Sequence, residues 1–368
     1  MRPALNPALR PLWRDGQTLQ LGLDPGRAVV IEGVHPGLGR FLLDLNGRDP
    51  WAVAVAGGPG FGIPAVETER VLTLLHEAGA LVDRSCDEAI RGELTTTERD
   101  RLAPDLAAWS IVDRDPTTAA RTLRRRTEAT VQLVGAGRVG ATAARLLAAA
   151  GIGRVQVVDP EPARAGDVSP GGLAAAGAGA SRGAQVQQSV LEVSPSMARR
   201  QRRPEGGASL TVLCPVDPAP ERSVVEQLVT RGTPHLVASV LENVGTIGPL
   251  VLPGRSPCLR CLDLHRTDRD PRWPLLVAQL SGRAPASYVA PCDVALAAAV
   301  GAHAVLAALA FIDAPEADHP LAGAVAELGP AGLGLSRRTF VTHPTCGCRW
   351  TDPLPDARHR SAAATMGA

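Results

Sequence analysis

One stretch constrains this chain more than any other. Val131-Gln132-Leu133-Val134 is an apolar run of strand length, Gly135-Ala136-Gly137-Arg138-Val139-Gly140 follows at once, and Ala141 to Ala150 reads as a helix. From Ala129 onward strand and helix patterns alternate, the signature of a layered α/β domain. Within the turn, Gly135 permits the tight reversal and Gly137 lets the backbone approach a phosphate. Gly140 lets the helix pack against its strand, and the amides at the helix start face the anion.

The next strand, Arg154 to Val158, ends at Asp159, which follows Gly140 by about the 20 residues expected of a carboxylate that binds a ribose hydroxyl in a Rossmann-like fold. A plain turn residue before Pro160 is the alternative reading of Asp159. A nicotinamide-dependent oxidoreductase would account for the glycines and Asp159, but it leaves the cysteines further along unexplained.

Seven cysteines are present. Two close pairs, Cys258/Cys261 and Cys346/Cys348, stand out, and the chain starts without a basic segment leading into an apolar one. We therefore expect a reducing, cytoplasmic setting, in which paired cysteines point to metal before disulfide. Four thiolates from two turns make a closed, tetrahedral, structural zinc site, with His343 as a substitute ligand. Cys86 and Cys214 read as inert thiols. Cys292 opens a long apolar helix, where a helix start can activate a thiol, although a buried structural role is the simpler reading. His265 lies in a charged segment just beyond the first knuckle.

With 368 residues, 45% apolar and 20% charged, the chain can bury one large core or two ordinary ones. A formal net charge of +1 gives no field to draw nucleic acid or an anionic membrane. There is no lysine, so all 38 basic residues are arginine; a Schiff-base lysine and a P-loop lysine are excluded. Val294 to Ile312 is nearly all apolar, but its alanine content, Gly301 and His303 suit a core helix better than a membrane span.

Residues 1–95 read as a separate winged-helix-like α+β domain. Thr18 to Leu23 and Ala28 to Glu32 flank the turn Asp24-Pro25-Gly26, Gly37 to Leu45 and Thr68 to Ala78 are amphipathic helices, and Ala80-Leu81-Val82 is a strand or wing. Nine arginines against twelve acidic residues give this segment a net charge of about −3, which disfavours DNA. Such a module can instead accept a peptide as an added strand. Residues 96–128 are expected to be a linker with helical turns, Thr95 and Glu98 capping the first and Arg121, Arg124, Arg125 and Arg126 forming a solvated face. Residues 129–353 form the nucleotide-binding domain, and 354–368 a flexible tail.

From Val131 through Trp350, in strand order and cysteine placement, the chain resembles the ThiF-like branch of the ubiquitin-activating-enzyme superfamily. The resemblance implies a Mg-ATP site in which Gly135, Gly137, Gly140, Asp159, Arg182 and Asp217 bind the nucleotide. Arg182 falls where that family usually has a lysine. Asp217 and Arg222 would be the catalytic pair, Asp217 holding magnesium and phosphates. Two departures bear on the chemistry: Val168 to Leu173 supplies neither the family's Asn nor its finger Arg, and Pro218 stands where the motif has Asn. An arginine finger accounts for about a thousandfold or more in phosphoryl-transfer systems; Arg138 or Arg164 are the candidate substitutes.

With the N-terminal module included, the chain is similar to the leader-peptide-binding, cyclodehydratase-associated proteins of thiazole- and oxazole-modified peptide (bacteriocin) biosynthesis. That implies capture of a precursor peptide by residues 1–95, presentation to a separate YcaO-type enzyme, a degenerate adenylation site, and pairing of two copies of the chain. The alternative is an active adenylyltransferase that activates a carboxylate of a small protein or peptide.

Overall fold

A computed structural model describes residues 1–86, 94–174, 180–201, 207–216, 220–280, 290–329 and 334–348. The chain divides into two compact units, Met1–Glu128 and Ala129–Ala368. Asp217, Pro218 and the tail at 354–368 lie outside the described residues.

The first unit is α+β. Strands β1 (Pro3–Leu5), β2 (Pro11–Trp13), β3 (Leu19–Leu21) and β4 (Val29–Ile31) come first, then helices α1 (Leu38–Asp44), α2 (Trp51–Gly57) and α3 (Ala65–Glu77), then strand β5 (Leu81–Asp83). β2, β3 and β4 form an antiparallel sheet in that order, and β1 pairs with β5. The β3–β4 turn is set by Asp24, whose Oδ1 accepts from the Gly26 amide at 2.8 Å. Leu19, Leu21, Leu38, Leu42, Leu72 and Leu75 from the sheet and helices form one buried cluster.

Residues 96–128 do more than link. Helix α4 (Thr96–Trp109) starts with a capping box, the Thr95 hydroxyl accepting from the Glu98 amide and the Glu98 carboxylate from the Thr95 amide. It packs with helix α5 (Thr118–Glu128) around Leu102, Trp109, Ala120 and Leu123. The arginine cluster is correspondingly mixed: Arg126 is buried, its guanidinium 4.2 Å from the centre of the Trp109 ring. A cation–π contact, invisible in a count of charges, turns this arginine inward.

The second unit is a seven-stranded sheet in the order β12-β11-β10-β9-β8-β6-β7. The four strands β6 (Thr130–Val134), β7 (Arg154–Val158), β8 (Leu210–Leu213) and β9 (His235–Leu241) are parallel. β10 (Val244–Val251), β11 (Ala324–Leu328) and β12 (Leu335–Thr339) extend it as an antiparallel meander. The helices are α6 (Arg138–Ala149), α7 (Arg182–Val193), α8 (Met197–Gln201), α9 (Arg222–Thr230), α10 (Leu259–Arg269), α11 (Trp273–Leu280) and α12 (Val294–Asp313). Among the described residues α12 alone is long and apolar enough to cross a membrane, but its Leu296, Val300, Ala304 and Ala308 are buried and it packs on α6, β9 and β10.

The chain leaves β6 for β7 on one side and returns to β8 on the other, so the loops after β6 and β8 diverge and open a crevice. Gly135 makes this possible: its φ is +95°, and a Cβ there would stand 2.0 Å from the Cys214 carbonyl oxygen. Gly140 is as close, a Cβ falling 1.9 Å from the Gly135 oxygen. Gly135→Ala should therefore lower unfolding free energy by about 3 kcal/mol or more. Gly166→Ala, which has open space around it, should stay within about 0.5 kcal/mol of the parent. Denaturant titration of both variants checks this; equal effects would refute the close-approach account.

Candidate nucleotide site and metal centre

The crevice is a cavity of about 290 Å³, lined by the Gly137–Gly140 turn, Gly166 and Asp167, Cys214 to Val216, Val240, and Ala290 to Cys292. Gly137 is the N-cap of α6, in extended conformation, so that helix begins at the cavity wall. Arg138 is the basic residue in the lining. Its Nε donates to the Gly166 oxygen at 2.7 Å and its Nη1 to the Cys292 oxygen at 2.6 Å, joining two walls. The second contact spans 154 residues, which is why no local pattern announces it.

Asp159 sits at the end of β7 and is buried. Its Oδ2 accepts from the Ala136 amide of the glycine turn at 2.7 Å and from Arg182 Nε at 3.0 Å. Its Oδ1 accepts from the Glu161 amide at 3.0 Å and from Arg182 Nη2 at 3.3 Å. Arg182, the first residue of α7, is buried too, and its Nη1 lies 3.5 Å from Asp167 Oδ1. The sequence paired Asp159 and Arg182 only as neighbours of a common ligand; the fold joins them directly. Asp167 was missed altogether, its only signal being an acidic residue in the glycine-containing loop after Asp159.

The other expected site residues are dispersed. Arg222, which opens α9, has a side chain 60% exposed and lies 4.0 Å from Asp263 of α10, and it is not in the cavity lining. Asp217 falls outside the described residues. In the segment from Val168 to Leu173 the Ser169 amide donates to the Leu173 oxygen and the Gly172 amide to the Ser169 oxygen, a small turn. Arg164 donates its backbone amide to Asp167 Oδ2.

Two thiols line the cavity. Complete burial pushes Cys214 from an ordinary value of 9.0 up to about 12. Burial pushes Cys292 up as well, against a smaller downward pull from Arg138 and with a lesser upward push from Asp293.

The four paired cysteines converge. Cys258 is the N-cap of α10 and Cys261 lies in its first turn. All four are buried, with Sγ separations of 3.9 Å for Cys258–Cys261, 3.5 Å for Cys258–Cys346 and 3.4 Å for Cys261–Cys348. Four sulfurs at about 2.3 Å from a tetrahedral ion would stand about 3.8 Å apart, so the set can hold a metal ion. Burial and the neighbouring sulfurs push Cys346 and Cys348 up, Cys348 to about 12. Against the upward push of burial, hydrogen bonds from the His343 and Cys258 backbone and from the Cys348 and Cys346 thiols bring Cys261 down. Cys346 and Cys348 thus favour the neutral thiol unless a cation joins them.

His343, the expected substitute ligand, is turned to other partners. Its Nε2 faces Asp268 Oδ2 at 2.9 Å and its Nδ1 faces the Thr345 hydroxyl at 2.9 Å, while its carbonyl accepts from the Cys346 amide. His265 packs edge-on against His343 and its Nε2 donates to the Val341 oxygen at 2.9 Å. Both imidazoles brace the second knuckle against α10.

A parallel sheet with a glycine turn at its switch point, an antiparallel extension and a four-cysteine cluster define an activating-enzyme-like α/β protein. The ThiF family model matches residues 114–348, and the chain belongs to the ThiF family. Solved structures share its fold. Escherichia coli MccB crystallised with succinimide has a TM-score of 0.65 at 14% identity, covering 96% of this chain and 100% of that one. E. coli MccB with ATP gives 0.64 at 14% identity, covering 95% and 99%. Selenomethionine PaaA gives 0.64 at 16% identity, covering 91% and 99%. No curated protein sequence matches significantly.

The Cys214 shift has a measurable sign. Its thiol is favoured neutral in the fold, so its contribution to stability is complete below pH 9 and is lost as pH rises from 9 through about 12. The other cysteines titrate in that window in parent and variant alike, so the difference between the two isolates Cys214. Stability of the parent should fall there with a slope steeper than that of Cys214→Ala, by up to about 1.4 kcal/mol per pH unit. Denaturation curves at pH 8 to 11 check this; parallel slopes would contradict it.

Proposed function

We propose that this chain captures an extended precursor peptide with its N-terminal unit and holds it for a separate YcaO-type cyclodehydratase, its ThiF domain acting as a zinc-braced scaffold. The observation that carries this reading is the β2-β3-β4 sheet. Among the described residues β4 is paired on one side only, and Pro11 on β2 lacks the amide that the opposite edge would need. The open edge, Val29–Ile31, carries Val30 at 41% exposure with no lysine to repel an incoming strand. A ladder of backbone hydrogen bonds along that edge would give affinity, and alternate side chains would give specificity. The microcin C7 biosynthetic enzyme MccB, similar over 95% of this chain, was crystallised with N-formylated MccA, which supports a peptide partner here.

The scaffold half of the reading rests on chemistry at the cavity. Adenylation needs cations that stabilise charge on the transferring phosphoryl group. The segment from Val168 to Leu173 has none, and Arg138 has two of its nitrogens bonded to carbonyls. The second reading, an active adenylyltransferase, is favoured by the retained glycine turn and Asp159, and by the ATP held by MccB. Mg-ATP, which the glycine turn and Asp159 would hold, would supply an adenylyl group to the partner's carboxylate, with pyrophosphate as the leaving group.

Peptides selected by display against the immobilised protein should protect the Val30 amide, which faces the open edge, from hydrogen exchange, and the protein should show no ATP–pyrophosphate exchange in their presence. Exchange stimulated by a selected peptide would favour the adenylating enzyme, and protection elsewhere would move the peptide site. For the metal centre, the purified protein should carry one zinc per chain, and Cys258→Ser should lower zinc content and melting temperature together, because structural zinc binding is coupled to folding. A metal-free parent of unchanged stability would refute the zinc assignment.

A further inference from the structure

We infer that Arg182 is an internal competitor for the ribose: it occupies the carboxylate that a nucleotide's 2′ and 3′ hydroxyls would need and so keeps the glycine-turn crevice closed to nucleotides. This deepens the scaffold reading above and rests on it. An ionised carboxylate offers about four lone-pair sites. On Asp159 four hydrogen bonds are already made from within the chain, two from the amides of Ala136 and Glu161 and two from the Arg182 fork. Because the amide bonds belong to the backbone of the glycine turn and of the β7 turn, the only bonds that a ribose could displace are those of Arg182.

The competitor is built in, and does not swing in by chance. The start of α7 is docked on Asp159 itself: the Ser181 hydroxyl and the Gly183 amide both donate to the Asp159 carbonyl, at 2.8 and 3.0 Å, and the Arg182 amide donates to the Glu161 oxygen at 2.8 Å. A Cβ on residue 183 would come within 2.7 Å of that same carbonyl. Asp167 holds the free nitrogen of the fork from the other side. A lysine ammonium, a point charge on a flexible stem, could leave for a phosphate and return. A planar guanidinium with two bonds to one carboxylate is oriented and is held more tightly. Displacing it would break a bidentate buried pair and leave Arg182 only its 3.5 Å contact with Asp167, a loss that neutral ribose hydroxyls do not offset.

Arg182→Lys is the decisive variant, since it keeps the cation while removing the fork. ATP and 2′,3′-dideoxy-ATP, each with Mg²⁺, are titrated calorimetrically into the parent and the variant, with denaturation curves to confirm that both are folded. The parent should bind both nucleotides weakly and equally. Arg182→Lys should bind ATP at least tenfold more tightly than the parent does, with no gain for the dideoxy analogue. A parent that already prefers ATP over the dideoxy form would overturn the inference without any variant. A folded variant with parental affinity, or an equal gain for both nucleotides, would overturn it as well. Should Arg182→Lys fail to fold, Arg182→Gln is read by the same criteria. In each of these failures the peptide-binding reading stands, because pyrophosphate exchange and peptide selection test it separately.

Discussion

The second unit is organised around one buried carboxylate. Asp159 ends β7, yet its oxygens reach the glycine turn after β6 and the first residue of α7. Three elements that diverge from the switch point of the sheet are thereby tied at the place where they would otherwise splay. A charge buried to this degree is costly unless every lone pair is satisfied, and here all four are. The consequence is a switch point held in shape by bonds that already use every lone pair of its carboxylate. In a dinucleotide-binding protein the corresponding acid is left with bonds to make.

How much of this could be read from the sequence differs between fold and site. The strand from Arg154 to Val158, the glycine turn, the long apolar helix and the β3–β4 hairpin announced themselves because each is specified locally, by period, by turn residues or by an apolar run. Helix α2 escaped because Trp51–Gly57 is short and ends in glycines that read as loop. Side-chain partners escaped for a different reason. Arg126 turns onto Trp109, Arg222 reaches Asp263 and Arg138 reaches Cys292, each chosen by tertiary geometry and none marked by a local pattern. Residue type at a position was legible; what that residue is bonded to was not.

The absence of lysine changes how charge can work in this protein. Every cation is a guanidinium that stays ionised and seeks planar, two-pronged or stacked partners. The buried arginines, Arg126 on an indole and Arg182 on a carboxylate, are both in settings where an ammonium would be less well held. A compositional bias has in this way become a structural habit: buried cations are anchors here.

The cysteine cluster joins the start of α10 to a turn that follows β12, the exposed edge strand of the sheet. With an ion bound, tension on the chain beyond Cys348 would be borne by metal–sulfur bonds at the cluster, and β12 would feel none of it. Without the ion the same pull would peel β12 from β11 one residue at a time, the geometry in which a hairpin is weakest. With an ion bound, the four cysteines would thus take up a pull that would otherwise fall on the β11–β12 pairing.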